Sequence, residues 1–597
     1  MREATEKKNL YRVIEAVVLV AVLILFSCFF DYRYAMNDDV LIGAIVSGNY
    51  SGVPDMHNIQ LMLPLNVFFT LLYRITGTVP WFGLFLVFSQ FYSLYTILNC
   101  LLGKAKPTEK RDWVLLVATN LLFVGIMLYE LIIVQYSYTA ALLVTSATIR
   151  LYCEDSDFFS KKGVLCYLGI LGQYIVAFCL RTEIFLFLLP FSLLLTVIRY
   201  YRENGFRLVS WKLGQWGIIW GSLLACVLML YGIEYVGYSD AGWSEYRKVF
   251  EYRTQLYDFL TLPDYAENKG FYDSTGISEA QYILLDNYNF SLDDDITSDT
   301  LRSVVEYADE KRISEHKGLE RLYYRMFTLP LKEGIWSYCH RVLFDPIVAG
   351  DDYPWNFVCA ALYAVLLLLT CFSGRIQNIV YMFLMFSVRS VLWMYIILKQ
   401  RTPNRVTHSL FVIEIVCLLV LVFEELSWLK ENGKPKRLNP LYAGISVLFL
   451  AGAVTVAFTS WGSFRTEYQN TVAFNEEWEE LLAYYRERKD NFYFMDVYST
   501  VNYSEAIFTD NGEGTENYDI CGGWLAKSPL CGEKYAQFGF TSIQEALLEK
   551  DNVYFVAEQG ADLEWLSELY AEKGVCVDLE CQDSVAGQFD VYKINVR

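Results

Sequence analysis

Apolar runs of about 20 residues, the length that crosses a bilayer as a helix, recur along the chain. They fall near 13–30, 79–102, 113–129, 131–152, 163–180, 184–200, 213–235, 355–373, 377–398, 408–429 and 439–460. A further apolar run, 61–76, has a different rhythm. Its polar residues Asn66, Thr70 and Arg74 recur every four positions among Leu, Val and Phe, which places them on one stripe of a helix. That pattern predicts a helix lying along the membrane interface. The chain thus reads as eleven spans plus one interfacial helix.

Charge fixes the expected orientation. With 61–76 left out of the count, the short basic loops all fall on one side: Lys7, Lys8 and Arg12; Lys104, Lys106, Lys110 and Arg111; Lys161 and Lys162. The same side takes Arg199, Arg202, Arg207 and Lys212; Arg375; and Lys430, Lys434, Lys436 and Arg437. By the positive-inside rule that side is the cytoplasm, with the N-terminus inside and the C-terminus outside the cell membrane. Counting 61–76 as a crossing inverts everything after it. The first run lacks a small-residue cleavage site and reads as a retained helix.

Two polar stretches, 236–354 and 461–597, are expected outside. The layout is then an N-terminal transmembrane module, 1–235, with a first outer loop at 31–78. A long outer loop (236–354), further spans (355–460) and an outer domain (461–597) follow. The 236–354 loop is rich in Tyr and Asp, with helix expected near 298–325 and no strand series. In 461–597, helices near 475–488, 542–550 and 562–573 alternate with strand-like FYFMDV (492–497), VYFVA (553–557), VCVDLE (575–580) and FDVYKI (589–594). Such alternation predicts a small α/β layer.

Composition sharpens this picture only in places. The 597 residues are 54% hydrophobic, too apolar for a string of soluble domains, and the net charge of −19 argues against a nucleic-acid partner. Ten of the 14 cysteines lie in or near spans or the first long loop and read as small apolar residues. Cys521, Cys531, Cys576 and Cys581 fall in the outer domain, where a Cys521–Cys531 disulfide is an open option. The four histidines form no metal-ligand pattern.

Candidate chemistry concentrates after the first span. Asp38-Asp39 stands just beyond it, followed by Gly48 and Gly52, Pro64-Leu65 opening the interfacial helix, and Trp81 opening the second span. An isolated acidic pair here is ordinarily a solvated or helix-capping pair, for a helix starting near 39. The order and topology of these pieces, however, resemble the GT-C class of polyprenyl-phosphate-sugar glycosyltransferases. In layout the chain is similar to the protein O-mannosyltransferase and lipid A aminoarabinose transferase families. The likeness covers residues 10–235 and is loose beyond, apart from the loop at 399–408; no second acidic motif stands in 236–354.

The resemblance implies a GT-C-like membrane fold. Its donor is a polyprenyl-phosphate sugar, and its acceptor an extracytoplasmic glycan, glycolipid or protein. It also implies Asp38 or Asp39 as general base, the other being an orienting group or a ligand to Mg or Mn; no cofactor follows with certainty. A sugar on a polyprenyl phosphate is already activated, so positioning and proton removal are the main tasks.

Lys399, Arg401, Arg405 and His408 break the inside bias in a short outer loop and suit an anionic ligand, the donor phosphate or a lipid headgroup. Arg181 and Glu183 mark a tight outer turn facing the same region; Arg181 is a further phosphate candidate, and pairing with Glu183 is the plain alternative. His57 in the first outer loop is a possible substrate contact, as are His408 and Glu183. Arg389 and Glu414 sit at comparable depths in consecutive spans and are expected to pair structurally. Two other functions fit the same sequence: an O-antigen-type polymerase or ligase that uses the arginines without the acidic pair, and a transporter or flippase.

Overall fold

A computed structural model describes residues 2–105, 110–205, 207–344, 352–432, 435–508 and 514–597. Lys106 and Lys434 of the expected basic loops lie outside these residues. The chain opens with α1 (Arg2–Phe29), strand β1 (Arg33–Tyr34), α2 (Asn37–Ser47) and α3 (Leu63–Ile75). Next come α4 (Trp81–Ala105), α5 (Lys110–Ile126), α6 (Leu128–Ile132), β2 (Ile133–Val134) and α7 (Tyr136–Cys153). Helices α8 (Lys161–Leu180), α9 (Thr182–Asn204) and α10 (Ser210–Gly237) follow. The polar middle region is helical: α11 (Ala241–Phe259), α12 (Lys269–Thr275), α13 (Glu279–Asp286), α14 (Ser298–Ser314), α15 (Gly318–Met326) and α16 (Leu331–Tyr338). Then α17 (Trp355–Ser373), α18 (Gln377–Leu398), α19 (Asn404–Asn432) and α20 (Pro435–Glu487) complete the bundle.

Among the described residues, nine helices are long and apolar enough to cross a membrane: α1, α4, α8, α9, α10, α17, α18, α19 and α20. The protein is a multi-pass helical membrane protein. α7 is not among the nine, and its packing explains why. It carries Ser, Thr and Ala along a helix buried nearly throughout and lies against α4, α8, α9 and α19. Small residues let helix backbones approach, and the hydroxyls find partners inside. Gln90 donates to Thr139 (3.1 Å), Gln173 donates to Ser146 (3.0 Å), and Thr148 bonds Tyr174 (3.0 Å). α19 is buried at every position from Ser409 to Phe423, as a helix at the centre of a bundle must be.

The 13 residues of α3 reach only about 20 Å, short of the ~30 Å hydrocarbon core. Its polar stripe is turned onto the preceding loop rather than toward headgroups. Asn66 donates to the carbonyls of Asn58 (2.8 Å) and Leu61 (3.1 Å), Thr70 to that of Asp55 (3.1 Å), and Arg74 to that of Pro54 (3.3 Å). The four-residue rhythm thus fastens a loop along a helix.

α20 runs without a break for 53 residues from the bundle into the C-terminal domain, so the helix near 475–488 is its far end. That domain contains β3 (Phe492–Met495), α21 (Val497–Thr500), β4 (Tyr518–Ile520), α22 (Pro529–Gln537) and α23 (Ile543–Glu549). It closes with β5 (Val553–Glu558), α24 (Glu564–Glu572), β6 (Val577–Val585) and β7 (Phe589–Val596). The sheet order is β4-β3-β5-β7-β6, parallel across the first three strands and antiparallel across the last three. β4, only three residues long, is the strand that the sequence pattern does not reveal. Cys521 and Cys531 are both free thiols; the Cys531 thiol donates to the Leu525 carbonyl (3.2 Å).

The C-terminal domain grips the segment leading into α2. Tyr34 N–H donates to Glu505 O (3.0 Å) and Ile507 N–H to Tyr32 O (2.7 Å). Beyond α2, Glu516 N–H donates to Asn49 O (2.8 Å) and Tyr50 Oη to Asp519 (2.7 Å). On its other edge β1 pairs in parallel with β2.

Candidate functional site

Helix α2 begins at Asn37, two residues earlier than the capping pattern suggests, with Met36 as an N-cap that offers no side-chain bond. Asp38 and Asp39 therefore occupy the first turn, where free backbone N–H groups favour negative charge. Adjacent positions on a helix point about 100° apart, and the two carboxylates meet different surroundings. Asp39 is fully buried, and its Oδ1 accepts the backbone N–H of Tyr136 (2.9 Å). Burial pushes its carboxyl well above the usual carboxylate range, and the Tyr136 N–H, Arg405 and Arg181 oppose that shift. Asp38 is partly exposed, and its charge is felt at Tyr136, Arg181 and Tyr288.

Two arginines approach this turn from separate helices. Arg181, at the α8–α9 junction, donates to Gln60 Oε1 and to Tyr136 Oη, each at 2.7 Å, and its Nε lies 3.0 Å from Glu183. Arg405, in the first turn of α19, contacts Met36 Sδ, and its charge acts on both Asp39 and Tyr136. Beside Arg405 opens a cavity of about 390 Å³, walled in part by Met36, Tyr138, Trp355, Phe464 and Glu467.

No family model, characterised protein or solved structure matches this chain.

The expected residues divide into two groups. Asp38, Asp39, Arg181 and Arg405 lie around the first turn of α2 and Tyr136, close enough for their charges to act there. His408 lies at the cavity, its Nδ1 against Glu130 and its ring stacked on Trp355 (5.0 Å). Lys399 and Arg401 turn away toward the end of α11: both lie over the Phe259 ring, and Arg401 pairs with Asp258 (3.2 Å). His57 bonds Asp55 (2.9 Å) and stacks on Trp243 (4.5 Å), tying the first loop to α11. Glu183 is largely exposed at its pair with Arg181. Arg389 and Glu414 pair at 3.0 Å in the buried bundle, with Tyr363 also donating to Glu414 (3.0 Å) and Arg389 donating to Asn356 (3.2 Å).

Gln60, Tyr136 and Glu130 complete the region without having been singled out by sequence pattern. For Glu130 a signal exists: it is the single charged residue between Trp113 and Ile149, and a charge inside a long apolar stretch marks a buried pair or a site. Gln60 and Tyr136 carry no such signal. Among the described residues, no group of three or more His, Cys, Asp and Glu is arranged to hold a metal ion.

Proposed function

We propose that the protein is a membrane glycosyltransferase that moves a sugar from a polyprenyl-phosphate carrier onto an extracytoplasmic acceptor in cell-surface glycan assembly. The observation that carries this reading is the first turn of α2, where the charges of Arg181 and Arg405 act on Asp39 and that of Asp38 acts on Arg181. It pairs a proton acceptor with cations suited to a leaving phosphate.

In this reading Asp38, the accessible member, takes the proton of the acceptor hydroxyl. The freed oxygen bonds to the anomeric carbon, and the bond from that carbon to the phosphate oxygen breaks, its electron pair leaving with the phosphate. Arg181 and Arg405 stabilise that charge. Asp39 fixes the turn through the Tyr136 N–H and orients Asp38. Ile126, Leu128 and Phe464 in the wall of the cavity beside Arg405 suit the first isoprene units. A positioned base contributes about 10²–10⁴ in rate.

The same reading takes α5 and α7 as further spans, giving eleven and a GT-C-like architecture, with a cytoplasmic N-terminus and the C-terminal sheet outside. Basic-loop placement supports that orientation. Mg or Mn as an additional charge carrier belongs to the proposal as an option tested by chelation. The purified protein in lipid, given a panel of polyprenyl-phosphate sugars with candidate acceptors, is expected to release free polyprenyl phosphate. No release from any donor with any acceptor contradicts the reading.

A further inference from the structure

The cavity beside Arg405 contains a pair that the chemistry proposed above does not use. His408 Nδ1 is held by Glu130 Oε1, and Trp355 covers one face of the imidazole. Both side chains are nearly buried, at 13% and 11% exposure. Three polar atoms of the cavity's wall residues are buried and unpaired: His408 Nε2, Glu130 Oε2 and Tyr138 Oη. Buried polar atoms are almost always paired, so three around one cavity call for a polar group that meets them. The wall also carries Arg405 on the same helix as His408 and Glu467 on α20.

A carboxylate bonded to one nitrogen of a histidine fixes its tautomer and ring orientation. It leaves Nε2–H as the free donor. Arg405, three residues before His408, is less than one turn away on the same helix face. The two donors are therefore spaced to share one anion. Tyr138 Oη is a third donor, and the carboxylates of Glu130 and Glu467 confine the anion to the Arg405 side.

We propose that Glu130 is a positioning residue that acts through His408, and that His408 and Arg405 together hold a phosphate headgroup in this cavity. The inference rests on the transferase reading for the identity of that headgroup, the phosphate of the polyprenyl carrier. The groups facing His408 are Glu130 and Tyr129 from α6, Tyr138 from α7, Arg405 from its own helix, Glu467 from α20, and Tyr353 and Trp355 at the start of α17.

The test is binding of farnesyl phosphate, with farnesol as the uncharged control, to the purified protein in lipid at one fixed pH. Wild type is expected to bind farnesyl phosphate more tightly than farnesol. His408→Gln should lose about tenfold in affinity for farnesyl phosphate. Glu130→Gln should lose affinity as well, because the imidazole is no longer held in place, and Glu130→Asp should restore it. Farnesol binding should stay level throughout. Unchanged farnesyl phosphate affinity in folded Glu130→Gln and His408→Gln would overturn the proposal. If neither variant folds, nitrogen NMR of ring-labelled wild type decides: the His408 resonance must shift with farnesyl phosphate and stay with farnesol. No shift would overturn it as well. Phosphate binding with this pattern across the variants but no turnover of any sugar donor sinks the transferase reading and leaves the site standing. Turnover with unaltered farnesyl phosphate affinity in Glu130→Gln does the reverse.

Discussion

The backbone N–H of Tyr136 donates to Asp39 Oδ1 across 2.9 Å, joining the first turn of α2 to the first residue of α7. This bond makes Asp39 a fastening and leaves Asp38 as the carboxylate that a substrate can reach. Asp39→Asn keeps an acceptor for the N–H, whereas Asp39→Ala leaves the N–H buried and unpaired at about 1–3 kcal/mol. Thermal unfolding in lipid should therefore rank wild type and Asp39→Asn well above Asp39→Ala. Equal stability of the two variants would deny the bond this role.

Arg389 and Glu414 pair within the bundle, with side-chain exposures of 5% and 0%. Removing one partner of a buried pair strands the other and costs about 3–5 kcal/mol, while replacing both with apolar residues costs much less. Arg389→Met and Glu414→Leu should each lower Tm sharply. The double variant should recover most of the loss in a double-mutant cycle. Additive losses would mean that the two residues do not interact.

Burial raises the carboxyl of Glu505, a residue of the segment that grips β1, from 4.5 to about 7. A carboxyl whose folded value is raised contributes stability below its unfolded value, and that contribution is lost as pH rises through the folded one. Between about pH 4.5 and 7 the loss amounts to about 3 kcal/mol. Glu505→Gln should flatten the fall of Tm across this window and be the more stable protein above pH 7. An unchanged pH profile would contradict the shift.

Arg181 and Arg401 are both candidates for the donor phosphate, and the structure separates them. Arg181 is bonded to Tyr136 Oη and Gln60 beside the first turn of α2, whereas Arg401 is partly exposed and paired with Asp258. Arg181→Ala should reduce donor turnover by more than about tenfold, the scale of one lost charge-assisted contact. Arg401→Ala should reduce it by less than about threefold, as expected for an exposed pair. The opposite ranking would move the phosphate site toward α11.

Long apolar runs make the spanning helices legible because their length is set by the bilayer, and the ends of α17 and α18 fall where the run ends. The start of α7 is less so: residues 128–134 are as apolar as a span, yet tertiary pairing of β2 with β1 draws them into a short helix and strand. The stripe on α3 is visible in sequence, but its partner, a loop backbone, is not. In the candidate site, Asp38, Asp39, Arg181, Arg405 and His408 stand out as charges near the ends of apolar runs. Gln60 and Tyr136 are ordinary polar residues whose roles come from contacts with residues distant in the chain. Lys399 and Arg401 show the converse, since their sequence neighbourhood with Arg405 hides that α11 claims them.

The central claim is that Asp38 removes the acceptor proton in transfer from a polyprenyl phosphate. It is tested most directly by release of polyprenyl phosphate from wild type, Asp38→Asn and Asp39→Asn, each verified as folded in lipid. The account predicts release by wild type, a loss of about 10²-fold or more in Asp38→Asn, and a smaller loss in Asp39→Asn. Release by Asp38→Asn at the wild-type rate would contradict it.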